Sequence, residues 1–305
     1  MKSYHSIQEL MALADAEKVS PGIIACRLEA ETSGRAYQDV WKQMDETIPV
    51  FMKSIRRGLG DHSKSRSGLV GGDARKLYDK EPLLLGPLAK RAAAYAVATA
   101  EANAKMMCIV ACPTAGSCGI VPAVVAAVGE HVGAKRYDYT RALFTAAGIG
   151  HVVAENASIA GAVGGCQAEC GTAAGMAAAA AIDLLGGTTE QMKNAIALAL
   201  KNILGLTCDP VAGLVEIPCI KRNASGVAGA FVAAELALAG IESAIPADEV
   251  IWTMKKVGDA MSSTLKETAE GGLAAPPTGR RLHEQVFGTV REPKSGCSGC
   301  GGCSS

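Results

Sequence analysis

The sequence predicts an all-α fold, and three observations carry the prediction. The 305 residues include 54 Ala and 35 Gly but only 4% aromatic residues, so the core must be built from small side chains, as closely approaching helices allow. Apolar residues recur at helical spacing in run after run. Alternating apolar patterns bounded by turns are almost absent, and no internal repeat occurs, so helices packed on helices are preferred over an α/β sheet. A chain of this length buries roughly 75% of its unfolded surface, enough for a self-sufficient core.

The elements follow in order. Ser6 with Glu9 forms a capping box ahead of Ile7, Leu10, Met11 and Ala14, so the chain opens with a helix. Ser33 is the expected cap of a long second helix through about Arg57, with Trp41, Met44, Ile48, Phe51, Met52 and Ile55 as its apolar stripe and a kink at Pro49. A basic Gly- and Ser-rich loop, GDHSKSRSGLVGGDA at 60–74, suits either a ligand clamp or a plain connection. Further helices are expected at about 82–108, 120–131, 140–157, 168–185, 188–204, 223–241 and 246–267. Thr188 and Gln191 form another capping box, and Pro246 lies in a first turn. The helical pattern fades at about Ala274. This divides the chain into a helical domain at 1–273 and an irregular segment at 274–305, which ends in the flexible Cys/Gly/Ser-rich tail SGCSGCGGCSS.

Thirty basic and thirty acidic residues give no net charge, which argues against nucleic acid as a partner. The most apolar windows, 172–186 and 224–242, carry Asp183 and Glu235 and read as buried helices rather than membrane spans. MKSYHSIQEL has no apolar signal region, so a cytoplasmic location is expected. In a reducing compartment eleven cysteines point to metal ligation, redox work or core packing rather than to disulfides.

Three runs concentrate the chemistry. ACPTAGSCGIVPA at 111–123 places Thr114, Gly116 and Ser117 in a tight loop before a helix, where hydroxyls and amides could receive a substrate carboxylate; a plain capping turn would use the same residues. NASIAGAVGGCQAECG at 156–171 and CDPVAGLVEIPCIKRN at 208–223 supply Cys166, Cys170, Cys208 and Cys219. Cys208 and Cys219 are eleven apart and Cys166 stands 42 before Cys208, unlike the paired CxxC spacing of structural zinc. An iron–sulfur cluster tolerates such dispersion, and buried packing thiols are the bland alternative.

These runs, with KSRSGLVGGDA at 64–74, closely resemble the α chain of bacterial iron–sulfur-dependent L-serine dehydratase in its two-polypeptide form, and the likeness spans nearly the whole chain. The resemblance implies a single all-helical catalytic domain holding a [4Fe–4S] cluster on Cys166, Cys208 and Cys219, with Cys170 a bystander. It also implies a PTAGS loop lining the pocket for L-serine, and a separate β chain with an ACT domain. The implied reaction is elimination of water from L-serine to aminoacrylate, which becomes pyruvate and ammonia. An iron without a protein thiolate would activate the leaving hydroxyl, so no pyridoxal phosphate is expected.

The base stays open among Lys221, His151, Lys64 and His62, with Lys221 preferred on the expectation that burial beside the cluster lowers its pKa; the partner chain could supply it instead. Asn156, Ser158 and Asn223 are candidate substrate contacts. In single-chain relatives a C-terminal cysteine plugs the open iron, a role that could fall to Cys303 as fourth ligand. The tail's three cysteines, Cys297, Cys300 and Cys303, leave cluster delivery and disorder equally open. Alternatives to serine dehydration are a cluster-dependent L-cysteine desulfidase and an iron–sulfur carrier or electron-transfer protein.

Overall fold

The computed structural model describes residues 3–288. Thirteen α-helical segments follow one another among them with no strand: α1 Ile7–Glu17, α2 Pro21–Ser33, α3 Tyr37–Gly60, α4 Asp73–Asp79, α5 Pro87–Ala104, α6 Ile120–Val132, α7 Arg136–Asn156, the single turn α8 Gly161–Gly164, α9 Thr172–Leu184, α10 Thr189–Lys201, α11 Cys219–Leu238, α12 Ala247–Ala260 and α13 Pro277–Phe287. No helix among the described residues is long and apolar enough to cross a membrane.

The all-α expectation holds, and the small-residue argument explains the arrangement. Helix α9, TAAGMAAAAAIDL, is buried from Thr172 through Asp183, and α6 from Ile120 through Gly129. Both are apolar all round, as central helices are. Helices α6, α7, α10 and α11 pack around α9, while α3 and α11 flank α5. The one acid in α9, Asp183, is met by Arg141 Nε (3.2 Å), Thr145 Oγ1 (2.7 Å) and Ser20 Oγ (3.1 Å), so its burial leaves no bare charge.

Caps and boundaries differ from expectation in instructive places. Thr188 and Gln191 close their capping box as read. Ser6 accepts from Glu9 N, but the Glu9 carboxylate takes the N–H of His5 rather than that of Ser6. Ser33 starts no helix: it ends α2, which Ser20 caps and Gly34 terminates at φ 65°. This helix was hidden in the sequence because its apolar residues, Ile23, Ile24, Ala25 and Cys26, are clustered rather than periodic. Helix α3 then starts after Ala36 and continues through Pro49 without ending. Proline at 49 cannot donate to the carbonyl of Asp45, and Arg136 Nη2 takes that oxygen instead (2.8 Å) while its guanidinium clasps the Asp45 carboxylate (2.7 and 2.8 Å). Beyond Ala274, where irregular chain was expected, α13 forms; it buries only Gly279 and is mostly polar, with Leu282, Val286 and Phe287 as its large apolar residues.

Candidate active site

The three runs singled out in the sequence converge, each held by a buried polar group. The chain leaves α8 at Gly165 (φ 77°) and enters a π-helical turn, Gln167–Gly171, that leads straight into α9. Such turns inside helices often mark functional sites. This one presents Cys166, Glu169 and Cys170. Gln167 anchors it, donating to Met254 O (2.9 Å) and accepting from Gly205 N (2.9 Å). Cys208 is fixed by the backbone: its N–H donates to Leu265 O (2.9 Å) and its carbonyl accepts from Glu267 N (2.7 Å). Cys219 is the first residue of α11.

The four thiols are free and buried. Cys166 and Cys170 place their sulfurs 3.4 Å apart. Hydrogen bonds from Cys170 and from Cys208, and then the Arg222 guanidinium, hold Cys166 far below the ordinary thiol pKa, whereas Cys170 and Cys208 are pushed up by the same hydrogen bonds and by burial. Burial and the charge on Cys166 push Cys219 up to about 12. Arg222 is itself fixed by Asp209 Oδ1 (2.8 Å) and by donating to Thr207 O (2.9 Å).

Among the described residues no three thiol, imidazole or carboxylate groups converge closely enough to hold one metal ion. The donor set could hold an iron–sulfur cluster: four buried thiols stand on three separated segments, and hydrogen bonds from Cys170 and Cys208, then Arg222, favour Cys166 as thiolate.

Beside the thiols lies a carboxyl that the sequence reading missed. Thr114 Oγ1 donates to Glu169 Oε1 (2.8 Å), and a Cβ on Gly116 would meet the same carboxylate at 3.1 Å. A Cβ on Gly161 would stand 2.9 Å from both Glu169 Oε2 and Cys208 Sγ, so that glycine keeps clear the ground between carboxyl and thiol. Burial raises the Glu169 pKa to about 7; Thr114 opposes the shift, and the negative Cys166 adds to it. This is the range of a group that takes and releases protons at neutral pH.

The supports are polar and buried. Asn223 accepts from Gly119 N (2.8 Å) and donates to Gly116 O (2.8 Å) and Cys219 O (2.9 Å), tying the 111–119 loop to α11. It is fully buried. Glu216 accepts from Ser65 (3.0 Å) and Ser67 (2.6 Å), and Glu101 accepts from Gly72 N (3.1 Å) and Asp73 N (2.8 Å), so the 60–74 loop is pinned to the site from two sides.

Of the predicted residues, Thr114, Gly116, Ser117, Cys166, Cys208 and Cys219 come together. Ser117 is buried, 3.2 Å from Thr114 Oγ1. Lys221 does not join them: it is exposed and paired with Asp73 (2.6 Å), because a residue two after Cys219 leaves the helix on another side. Arg222 and Asn223, three and four after Cys219, take the face that Lys221 was expected to occupy; Glu169, three after Cys166, obeys the same spacing. His151 is exposed and lines a separate cavity of about 330 Å³ with Tyr4, Leu28, Met44 and Phe144. Asn156 spends its amide on His5 O (2.7 Å) and Val152 O (2.9 Å), and Ser158 accepts from Ala160 N (3.1 Å). His62 and Lys64 are exposed. Cys297, Cys300 and Cys303 lie outside the described residues.

Comparison with known proteins gives this arrangement a relationship. The family described as serine dehydratase alpha chain matches residues 12–274. The chain is 49% identical to the probable L-serine dehydratase alpha chain of Bacillus subtilis, over 93% of its own length and 96% of the relative's. It is 43% identical to the L-serine dehydratase alpha chain of Peptoniphilus asaccharolyticus, over 85% and 90%. A longer relative, the L-serine dehydratase of Streptomyces coelicolor, is 40% identical over 87% of this chain and 59% of its own. With a matched span that contains the thiol set, the PTAGS loop and Glu169, the chain belongs to the serine dehydratase alpha chain family.

Proposed function

We propose that this chain is the catalytic α chain of an iron–sulfur-dependent L-serine dehydratase, a lyase that eliminates water from L-serine to give aminoacrylate and then pyruvate and ammonia. The observation that carries the reading is the juxtaposition of the Glu169 carboxyl with the buried thiols on one side and the Thr114 loop on the other. Elimination needs a base for a weakly acidic α-proton and help for a poor leaving group, side by side. A [4Fe–4S] cluster held by Cys166, Cys208 and Cys219 would supply an iron without a protein thiolate, whose Lewis acidity weakens the bond to the leaving hydroxyl.

The chain's own groups do the rest. The loop ahead of α6, with Ser117 and the helix N-terminus, receives the substrate carboxylate. Glu169 takes the α-proton; Thr114 holds its Oε1 and so fixes where the other oxygen points. Arg222, braced by Asp209, steadies Cys166 as thiolate. The names of the relatives support a separate β chain as partner, because several are alpha chains while the longer relative is matched over only 59% of its length.

Mössbauer spectroscopy of the anaerobically reconstituted chain, before and after L-serine, tests the reading. One iron site of four should shift on adding serine, and Cys166→Ala, Cys208→Ala and Cys219→Ala should each prevent stable assembly. Four irons indifferent to serine, or full cluster retention in those variants, would overturn it.

A further inference from the structure

Cys170 takes no part in the proposed elimination and is not one of the proposed cluster ligands, yet its sulfur lies 3.4 Å from that of Cys166. Both are free and almost wholly buried, at 1% and 2% exposure, so the approach is built into the packed interior. Cys166 caps the π-helical turn and Cys170 lies within it, four positions on, which on a helix is a separation of about 6 Å between Cα atoms, inside the range a disulfide spans. Closing the bond asks the sulfurs to approach by about 1.4 Å. Gly165 before the turn and Gly171 at its end are the backbone positions best able to absorb that shift. Cys208 also touches Cys166, but its backbone is bonded on both sides to residues 265 and 267, and it has less freedom to follow.

We propose that Cys166 and Cys170 are a redox modification site: in the chain without its cluster a hydroperoxide closes them into a disulfide that protects Cys166 and blocks loading until a thiol reductant reopens it. One sulfur attacks a peroxide oxygen, the O–O bond breaks, and water leaves behind a sulfenic acid. The second sulfur displaces the sulfenic oxygen, its proton leaves with that oxygen as a second water, and the S–S bond forms. Two sulfurs give up two electrons and the two peroxide oxygens accept them. A neighbour this close intercepts the sulfenic acid before further, irreversible oxidation. The block on loading rests on the proposed cluster assignment; the disulfide does not.

The digest of the chain separates the outcomes. Cys166 and Cys170 fall in one tryptic fragment, 142–193, and Cys208 and Cys219 in another, 202–221. The full chain, never loaded with iron, is treated with hydrogen peroxide, alkylated after denaturation and digested. The expected fragment 142–193 is two hydrogens lighter and unalkylated, and reverts with dithiothreitol. In Cys170→Ser it should instead carry added oxygen on Cys166. A cross-link joining 142–193 to 202–221, or alkylation of both thiols as in the untreated chain, overturns the proposal.

Iron and sulfide uptake, followed by absorbance, is then read on the same samples. The oxidised chain should load at least tenfold more slowly than the reduced one, with dithiothreitol restoring the rate. Equal loading overturns the block. A fully reduced chain that takes up no cluster overturns the functional reading and the block with it, while the fragment masses still decide the disulfide.

Discussion

Glu169 is where activity and stability pull in opposite directions. Its pKa, raised to about 7 chiefly by burial, means that the folded chain binds a proton there more tightly than the unfolded chain does. Folding is therefore unpenalised near pH 4, where both states are protonated, and loses stability as pH rises toward 7 and the buried carboxyl must ionise. Glu169→Gln keeps an acceptor for Thr114 and removes the charge, so it should raise stability by about 2–4 kcal/mol at pH 8 and leave it nearly unchanged at pH 4. Thermal unfolding at the two pH values checks this. As the proposed base, Glu169 must be ionised to act, so kcat/KM should fall below about pH 7, and Gln should lower kcat by about 10²–10⁴ with little change in KM. Thr114→Val removes the hydrogen bond that opposes the shift, so the acid limb should move to higher pH. A limb that stays in place in Thr114→Val and survives in Glu169→Gln would remove Glu169 from the reaction.

Between elements, one side chain carries the connection. Asn223 on α11 satisfies Gly119 N–H and Gly116 C=O in the loop that precedes α6, and from the same amide it reaches Cys219 O. Asn223→Ala leaves two loop backbone groups buried without partners, which should cost about 2–4 kcal/mol in urea unfolding. It should also raise KM more than it lowers kcat, because the loop is the part proposed to receive substrate. Long elements with strong periodicity were legible in the sequence: α1, the Thr188 capping box and the Ala-rich α9 all follow from local rules. Helix α2 was not legible, because Ile23 to Cys26 cluster without period, and α13 was not, because it buries almost nothing. The cysteines and the PTAGS loop announced the site by composition. Glu169 and Arg222, the groups the proposed reaction uses, are less conspicuous in sequence than Lys221, although three-residue helical spacing from Cys166 and Cys219 points to both. Asp209, Glu216 and Glu101 answer to partners on distant segments, which no local pattern reveals.

At the scale of the whole molecule, the excess of alanine and glycine lets helices approach until backbone meets backbone, and α5 is the plate on which this matters most. Its Glu101 holds the 60–74 loop, and its backbone at Ala96 abuts Gly119, where a Cβ would stand 2.4 Å from Ala96 O. On its other flank Gly58 of α3 lies so close to Ala98 that a Cβ would stand 2.0 Å from that carbonyl. A methyl group there cannot be accommodated by rotating a side chain, since the obstacle is main chain, so α3 must move off α5. Gly58→Ala should therefore destabilise the fold by about 1–3 kcal/mol despite the better helix propensity of alanine. Gly60, two residues on in the same helix, has nothing within 4 Å of the place a methyl group would take and serves as the internal control. Gly60→Ala should be neutral or stabilise by up to about 1 kcal/mol. Thermal unfolding of the two variants beside the parent chain decides the matter. Equal midpoints for both would mean that the small residues are incidental to the packing; a large loss confined to Gly58→Ala would mean that the spacing of α3 and α5, and with it the placement of the 60–74 and 111–119 loops, is set by the absence of a single carbon atom.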